Sequence, residues 1–403
     1  MNTAHLVNAE ESPYASKAST ENPWVGMDVG GANIKVAHSS GWSNSCVFPM
    51  WKQSENLSQS VASLLGPCPA FRGVAVTMTG ELADCFATRA EGVAVILEQI
   101  TSIIPASMVR VYDVQGNWRT VSQAAREPWQ VAASNWHALA RMIAVKDQPP
   151  DGQVCPGQLL IDVGSTTTDI IPILGGKIAI EDQTDSQRLQ SGALVYSGVE
   201  RSNVVGILHE LPLFGSKCPV INELFATTLD VYLWLRHFED QPDRRDTADN
   251  QSATREAARF RLARLVGEDG STLTDSDIDA IANAVFQSQA LAISNGIRKM
   301  LDRLDACQAS AAGLPLARKV KIASKKKPSK PIDTDARDKA GPRVIYSGHG
   351  DFLIDSALKK ADWVGNATRL STILGKSLSR CAPAYSVAVL ASEELGDLLM
   401  RLD

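Results

Sequence analysis

Two stretches of this chain share one layout. VGMDVGGANIKVA (25–37) and LLIDVGSTTTDII (159–171) each run from an apolar strand through Asp-Val-Gly and a few small residues into a second apolar strand, with Asp28 aligned on Asp162. A strand closed by a glycine turn and followed at once by another strand folds back as a hairpin. The match suggests one unit occurring twice, although Asp-Gly turns between apolar strands are also common in unrelated hairpins. The turns are also chemically odd, because a purely structural turn has no use for the hydroxyl run that follows Gly164.

Turns without bulky side chains let backbone N–H groups approach and point at a phosphate oxygen. Gly30, Gly31 and Asn33 in the first turn and Gly164 in the second are therefore candidate phosphate contacts, with Ser165, Thr166, Thr167 and Thr168 adding uncharged hydroxyl donors. A carboxylate beside phosphate repels it unless a cation lies between, so Asp28 and Asp162 point to Mg2+. On spacing alone a second reading stands equally: tight hairpins whose aspartates cap their own turns. A third loop, VIYSGHGDFLI (344–354), follows an apolar strand, and Gly348 and Gly350 are read there as letting a nucleotide or phosphate approach a helix N-terminus.

The remaining sequence is read around these turns. With 403 residues, 44% of them hydrophobic, the chain is long enough for two cores. Net charge is −5, which lacks the basic field of a nucleic-acid or anionic-membrane binder, so small-molecule partners are expected, with no nucleic acid and no membrane. Seven scattered cysteines without a CxxC pair suit reduced thiols, and no segment resembles an export signal or a membrane span, which reads as cytoplasmic.

Residues 1–22 read as a disordered tail, 23–150 as a first lobe, and 151–403 as a second lobe with a helical layer and a basic loop at about 308–342. Periodicity predicts helices around 57–65, 82–87, 93–100 and 131–143, and strands over 73–78 and 109–114.

With three such loops in this order, the chain resembles the actin, sugar kinase and Hsp70-like superfamily. That implies a two-lobed α/β, ribonuclease H-like fold with a cleft between the lobes. Within the superfamily DVGSTTTDIIPI looks most like the hydantoinase/oxoprolinase group, whose loop is followed by an acid, here Asp169. It departs from that group in Ser165, where a glycine is usual, and in a first turn reading GGAN without threonines.

A narrower resemblance, carried by DVGGANIKVA, TMTGELADCFATRAEGV, AASNWHALA, DVGSTTTDIIPI, GALVYSGVERS and ELFATTLDVYL, is to the tetrahydromethanopterin-linked one-carbon transfer pathway proteins, which include methanofuran-type cofactor synthases. It implies transfer of a furanylmethyl group from its diphosphate to a phenol oxygen with release of diphosphate, in a pathway of formaldehyde oxidation. ATP enters only under the alternatives: a hydantoinase/oxoprolinase-like amide hydrolase, a small-molecule kinase, or a non-catalytic nucleotide-binding regulator.

That reaction needs a cation near the leaving group and an acceptor for the phenol proton. Lys35, one strand residue beyond the first turn, is the favoured cation, with Arg89 second. Glu81 and Asp84 are expected to share a helix face and to supply the base. Asn135 and His137 enter through the resemblance, and Tyr196 and Arg201 as contacts to the second substrate or its carboxylate. FATTLD, around Thr227, Thr228 and Asp230, reads as a helix start.

Overall fold

The computed structural model describes residue 14 and residues 21–146, 157–311 and 341–396. The expected tail, most of the basic loop and most of the presumed boundary between lobes lie outside the described residues. What is described contains two six-stranded sheets and a separate hairpin.

The first sheet is built on β1 (Trp24–Val29), all six residues of which are buried, and β2 (Asn33–His38), which returns antiparallel to it. β3 (Ser43–Val47) extends the antiparallel side, while β4 (Gly73–Met78) and β5 (Val109–Tyr112) run parallel on the other and β6 (Trp118–Arg119) closes that edge, giving the order β3-β2-β1-β4-β5-β6. The near-continuous apolar runs of β1 and β4 follow from being covered on both faces.

The second sheet repeats the plan. β7 (Gln158–Val163) and β8 (Thr168–Leu174) form the hairpin, with β9 (Lys177–Ile178) and β10 (Leu194–Val195) paired to β8. After a small hairpin, β11 (Glu210–Leu213) with β12 (Ser216–Pro219), β13 (Arg343–Ser347) runs parallel to β7 and β14 (Ala367–Arg369) parallel to β13. The order β2-β1-β4-β5 in one sheet thus has the same strand senses as β8-β7-β13-β14 in the other, the two-lobed arrangement that the superfamily resemblance implies. The turns match too: Gly30 N–H donates to Asn33 O at 2.9 Å, and Gly164 N–H to Thr167 O at 2.8 Å.

A helical layer, Thr228–Trp234, Arg255–Arg264 and Asp275–Ala311, covers the second sheet. The expected helix start at FATTLD is found: the Asp230 carboxylate accepts from Thr227 N–H at 2.9 Å, and the same buried carboxylate takes the Arg261 Nε–H at 2.6 Å. No helix among the described residues is long and apolar enough to cross a membrane.

Three expectations are corrected. Residues 82–87 form turns, not a helix; the Thr88 side chain accepts from Glu91 N–H and Glu91 Oε2 from Ala87 N–H, which fixes the helix start at Arg89. Glu81 and Asp84 consequently share no helix face. The helix expected over 131–143 is interrupted at Ala132–Ser134, where Ala133 has φ 48° and the buried Ser134 hydroxyl bonds Tyr112 O, and it restarts as Asn135–Lys146.

The third correction concerns the second lobe, which does not extend to the last helix. Ala382–Glu394 packs on β1 and on Asn135–Lys146, so closely that a Cβ on Gly26 would overlap the Ala384 carbonyl. Eleven of its residues are buried, which explains why its sequence shows no polar face to betray its position.

Candidate active site

The two turns face each other across a cleft between the sheets. Asp28, Gly30, Gly31, Asn33 and Lys35 from the first hairpin and Asp162, Gly164, Ser165, Thr166 and Thr167 from the second line one cavity of about 80 Å³. A larger cavity of about 280 Å³ adjoins it, sharing Gly31, Thr79, Asn135, Thr166, Thr167 and Asp169 and reaching Glu81, Asp84, Arg188, Tyr196 and Arg201.

Strand register sets the charges. In the first hairpin Asp28 lies across from Lys35; in the second Asp162 lies across from Asp169. Burial pushes the Asp28 carboxyl up to about 6, Lys35 opposing and Asp162 adding to the rise, and its Oδ1 is buried without a hydrogen-bond partner. Asp162 is held by the Ser347 hydroxyl, which donates to Oδ1 at 2.6 Å. Burial likewise raises Asp169 to about 6 against the pull of Arg188, whose guanidinium donates to Asp169 and, at 2.8 Å, to Asp185.

Glu81 is 1% exposed at the wall of the larger cavity. Burial pushes its carboxyl up to about 7, opposed by a backbone hydrogen bond and by Arg89, whose Nε is 3.7 Å away. Its Oε2 has no hydrogen-bond partner. Arg89 also pairs with Asp185 at 3.2 Å and lies over the Trp129 ring.

Most of the residues singled out in the sequence are therefore gathered in one place, and four are not. Thr168 is fully buried and donates its hydroxyl to Ser197 O, away from the cleft. Gly348 and Gly350 are glycine for packing: a Cβ on the first would overlap the Val163 backbone, and on the second the Val163 and Val199 side chains. His137 sits in a different groove, its Nδ1 3.0 Å from Tyr112 OH, with burial and Arg141 lowering it to about 4.

Sequence reasoning missed Thr79, Trp51, Asp185 and Arg188 at the cleft. Thr79 had a signal, since it follows a strand parallel to β1 and so ends at the same edge of the sheet.

Among the described residues no group of three or more His, Cys, Asp or Glu side chains converges as a metal site. The cleft offers Asp28 and Asp162, with an unpartnered buried oxygen on the first. Two carboxylates among main-chain N–H groups and hydroxyls fit a hard divalent ion that completes its shell with water and phosphate oxygens.

The family description hydantoinase/oxoprolinase matches residues 72–315. The chain belongs to the hydantoinase/oxoprolinase family. Over 376 residues it is 29% identical to the (4-{4-[2-(gamma-L-glutamylamino)ethyl]phenoxymethyl}furan-2-yl)methanamine synthase of Methanocaldococcus jannaschii, a match covering 92% of this chain and 98% of that protein. A protein of the same name from Methanococcus vannielii is 26% identical over 245 residues, 60% of this chain and 94% of that one. Among solved structures, the activator of the 2-hydroxyisocaproyl-CoA dehydratase from Clostridium difficile with bound ADPNP aligns at 11% identity over 94% of this chain and 98% of that one, with a TM-score of 0.37.

Proposed function

We propose that this protein is a synthase of methanofuran-type cofactor biosynthesis that transfers a furanylmethyl group from its diphosphate to a phenol oxygen. The observation that carries the reading is the pair of matched turns, each with its own aspartate, facing one cleft beside the buried Glu81 carboxyl. The similarity to synthases whose name describes a phenoxymethyl-furan supports the same bond.

A furan ring stabilises positive charge at its attached methylene, so the enzyme's task is to neutralise the departing diphosphate and to position the phenol. The bond from the methylene carbon to the diphosphate oxygen breaks with its electron pair leaving on diphosphate. A new bond forms from that carbon to the phenol oxygen, whose proton passes to Glu81. Main-chain N–H groups of both turns and the hydroxyls of Ser165, Thr166 and Thr167 hold phosphate oxygens. Asp28 and Asp162 would hold Mg2+, which would supply positive charge at the leaving group. Asn135, Tyr196 and the exposed Asp84 border the larger cavity, where the phenol is placed.

The test is turnover without nucleotide. Purified protein given an aminomethylfuran methyl diphosphate and a tyramine derivative should form the ether, seen by mass spectrometry, and release one diphosphate per ether. ATP hydrolysis on addition of hydantoin or 5-oxoproline, with no ether formed, overturns the reading in favour of an amide hydrolase.

A further inference from the structure

Four cationic side chains stand at the cleft, and three of them already have carboxylate neighbours. Lys35 lies across the strand from Asp28, Arg188 binds Asp169 and Asp185, and Arg89 pairs with Asp185 and Glu81. Arg201 differs. Among the described residues no carboxylate is within ion-pair distance of it, and its guanidinium carbon lies 3.8 Å from the centre of the Trp51 ring. Stacking holds the planar face of the guanidinium and leaves its N–H edge free, the edge that forks two phosphate oxygens.

The main chain ties both members of that stack to the two turns. Arg201 N–H and Glu200 N–H both donate to Ser165 O at 3.0 Å, in the second turn. The segment carrying Trp51 is fixed to the first, through Met50 N–H to Gly31 O at 2.9 Å and Phe48 N–H to Ala32 O at 2.8 Å. Arg201 reaches across the cleft from one turn to the other: a Cβ on Gly31 would lie 3.9 Å from its Nη1.

We infer that Arg201, stacked on Trp51, is the residue that binds the diphosphate, closing the cradle between the two turns, in place of contacting the carboxylate of the phenolic substrate. Trp51 is a positioning residue that holds the guanidinium edge toward the cleft. A diphosphate brings several negative charges into a cleft rich in carboxylates, and a cation with no carboxylate of its own adds attraction there beyond what Mg2+ would supply. The inference rests on the diphosphate-transfer reading given above.

Calorimetric titration of the full chain with inorganic diphosphate in Mg2+ buffer tests it. Wild-type protein should bind; Arg201→Ala should weaken binding at least tenfold, and Arg201→Lys should recover only part of the loss, because an ammonium cannot fork two oxygens. Trp51→Phe should keep most of the affinity and Trp51→Ala should lose several-fold. Both residues also border the cavity that receives the phenol, so KM for the phenolic substrate should change less than diphosphate affinity in all four. Arg201 is exposed, so melting temperatures should match wild type.

Wild-type binding that Arg201→Ala leaves intact, or a raised phenol KM with unchanged diphosphate affinity, overturns the inference while leaving the transfer reaction standing. Failure of wild-type protein to bind diphosphate overturns both.

Discussion

Asp169 lies directly across its hairpin from Asp162, at the position where the first hairpin sets Lys35 across from Asp28. The two hairpins therefore share a backbone arrangement and differ in the charge of one partner. In the first lobe the strand neighbour supplies the countercharge; in the second it adds a further acid, and the countercharge comes from Arg188 on a helix, Asp185–Ser191. The asymmetry leaves the second turn the more acidic half of the cleft and the first the half with a built-in cation.

Asp162→Asn should keep the fold, since the amide oxygen still accepts from Ser347, and should weaken Mg-diphosphate binding and turnover by orders of magnitude. Asp162→Ala should add a stability loss of about 1 kcal/mol from the broken hydrogen bond. Activity, Mg2+ dependence and melting temperature of the two variants check this. An Asn variant with full, Mg-independent activity is incompatible with the site described.

Glu81 should show opposite signs in catalysis and stability. Its folded carboxyl titrates near 7, above the ordinary 4.5, so between those values the folded state keeps a proton that the unfolded chain has released. Stability from this group is present below 4.5 and falls as pH rises through 7. Turnover should rise over the same range, as the base becomes ionised. Glu81→Gln should abolish that rise and, at pH 8, be more stable than wild type by roughly 1–3 kcal/mol, with a smaller gain at pH 5. Melting curves at the two pH values, with a pH–rate profile, measure both halves.

The glycine loop at 347–351 should respond as packing and not as a ligand contact. Gly348 has φ +95° and a Cβ there would overlap the Val163 backbone, so Gly348→Ala should cost more than about 2 kcal/mol. Gly175 has φ +56° with open space around its Cβ, and Gly175→Ala should cost roughly 1 kcal/mol. Thermal unfolding of the pair separates steric overlap from backbone strain.

A strain lacking this protein should lose its furan cofactor and oxidise formaldehyde poorly, while growth on multicarbon substrates continues. Metabolite profiling of the deletion strain is the check; unchanged cofactor levels contradict the proposed synthase role.

The hairpins were legible because a turn is a local event: apolar strand, Asp-Val-Gly and second strand stand in sequence order, and register then puts Lys35 and Asp169 in place. Glu81 was found for a mistaken reason. It was placed on a helix that Thr88 and Glu91 start later, and what brings it to the cleft is burial behind Gly92, whose Cβ would overlap the Glu81 backbone. Trp51 and Arg188 carried no signal, since their importance lies in partners far along the chain, Arg201 and Asp169. Gly348 and Gly350 were noticed for a ligand, and the structure adds that each packs tightly against Val163; a glycine that makes room for a ligand and one that makes room for a neighbouring strand look alike in sequence.

The helix Ala382–Glu394, seated on β1, makes the chain close on its own beginning. Part of one face of the first sheet stays uncovered during synthesis until residues 382–394 have been made, so β1 is completed long after it is translated. A ribosome-bound chain ending near residue 150 holds an apolar surface around Trp24, Ala75 and Tyr112 that Ala138 covers only in part, because the residues that complete the cover include Val387, Leu390 and Ala391. A piece ending near residue 150 leaves open the apolar surface that Val387, Leu390 and Ala391 close on the sheet whose first hairpin carries Asp28.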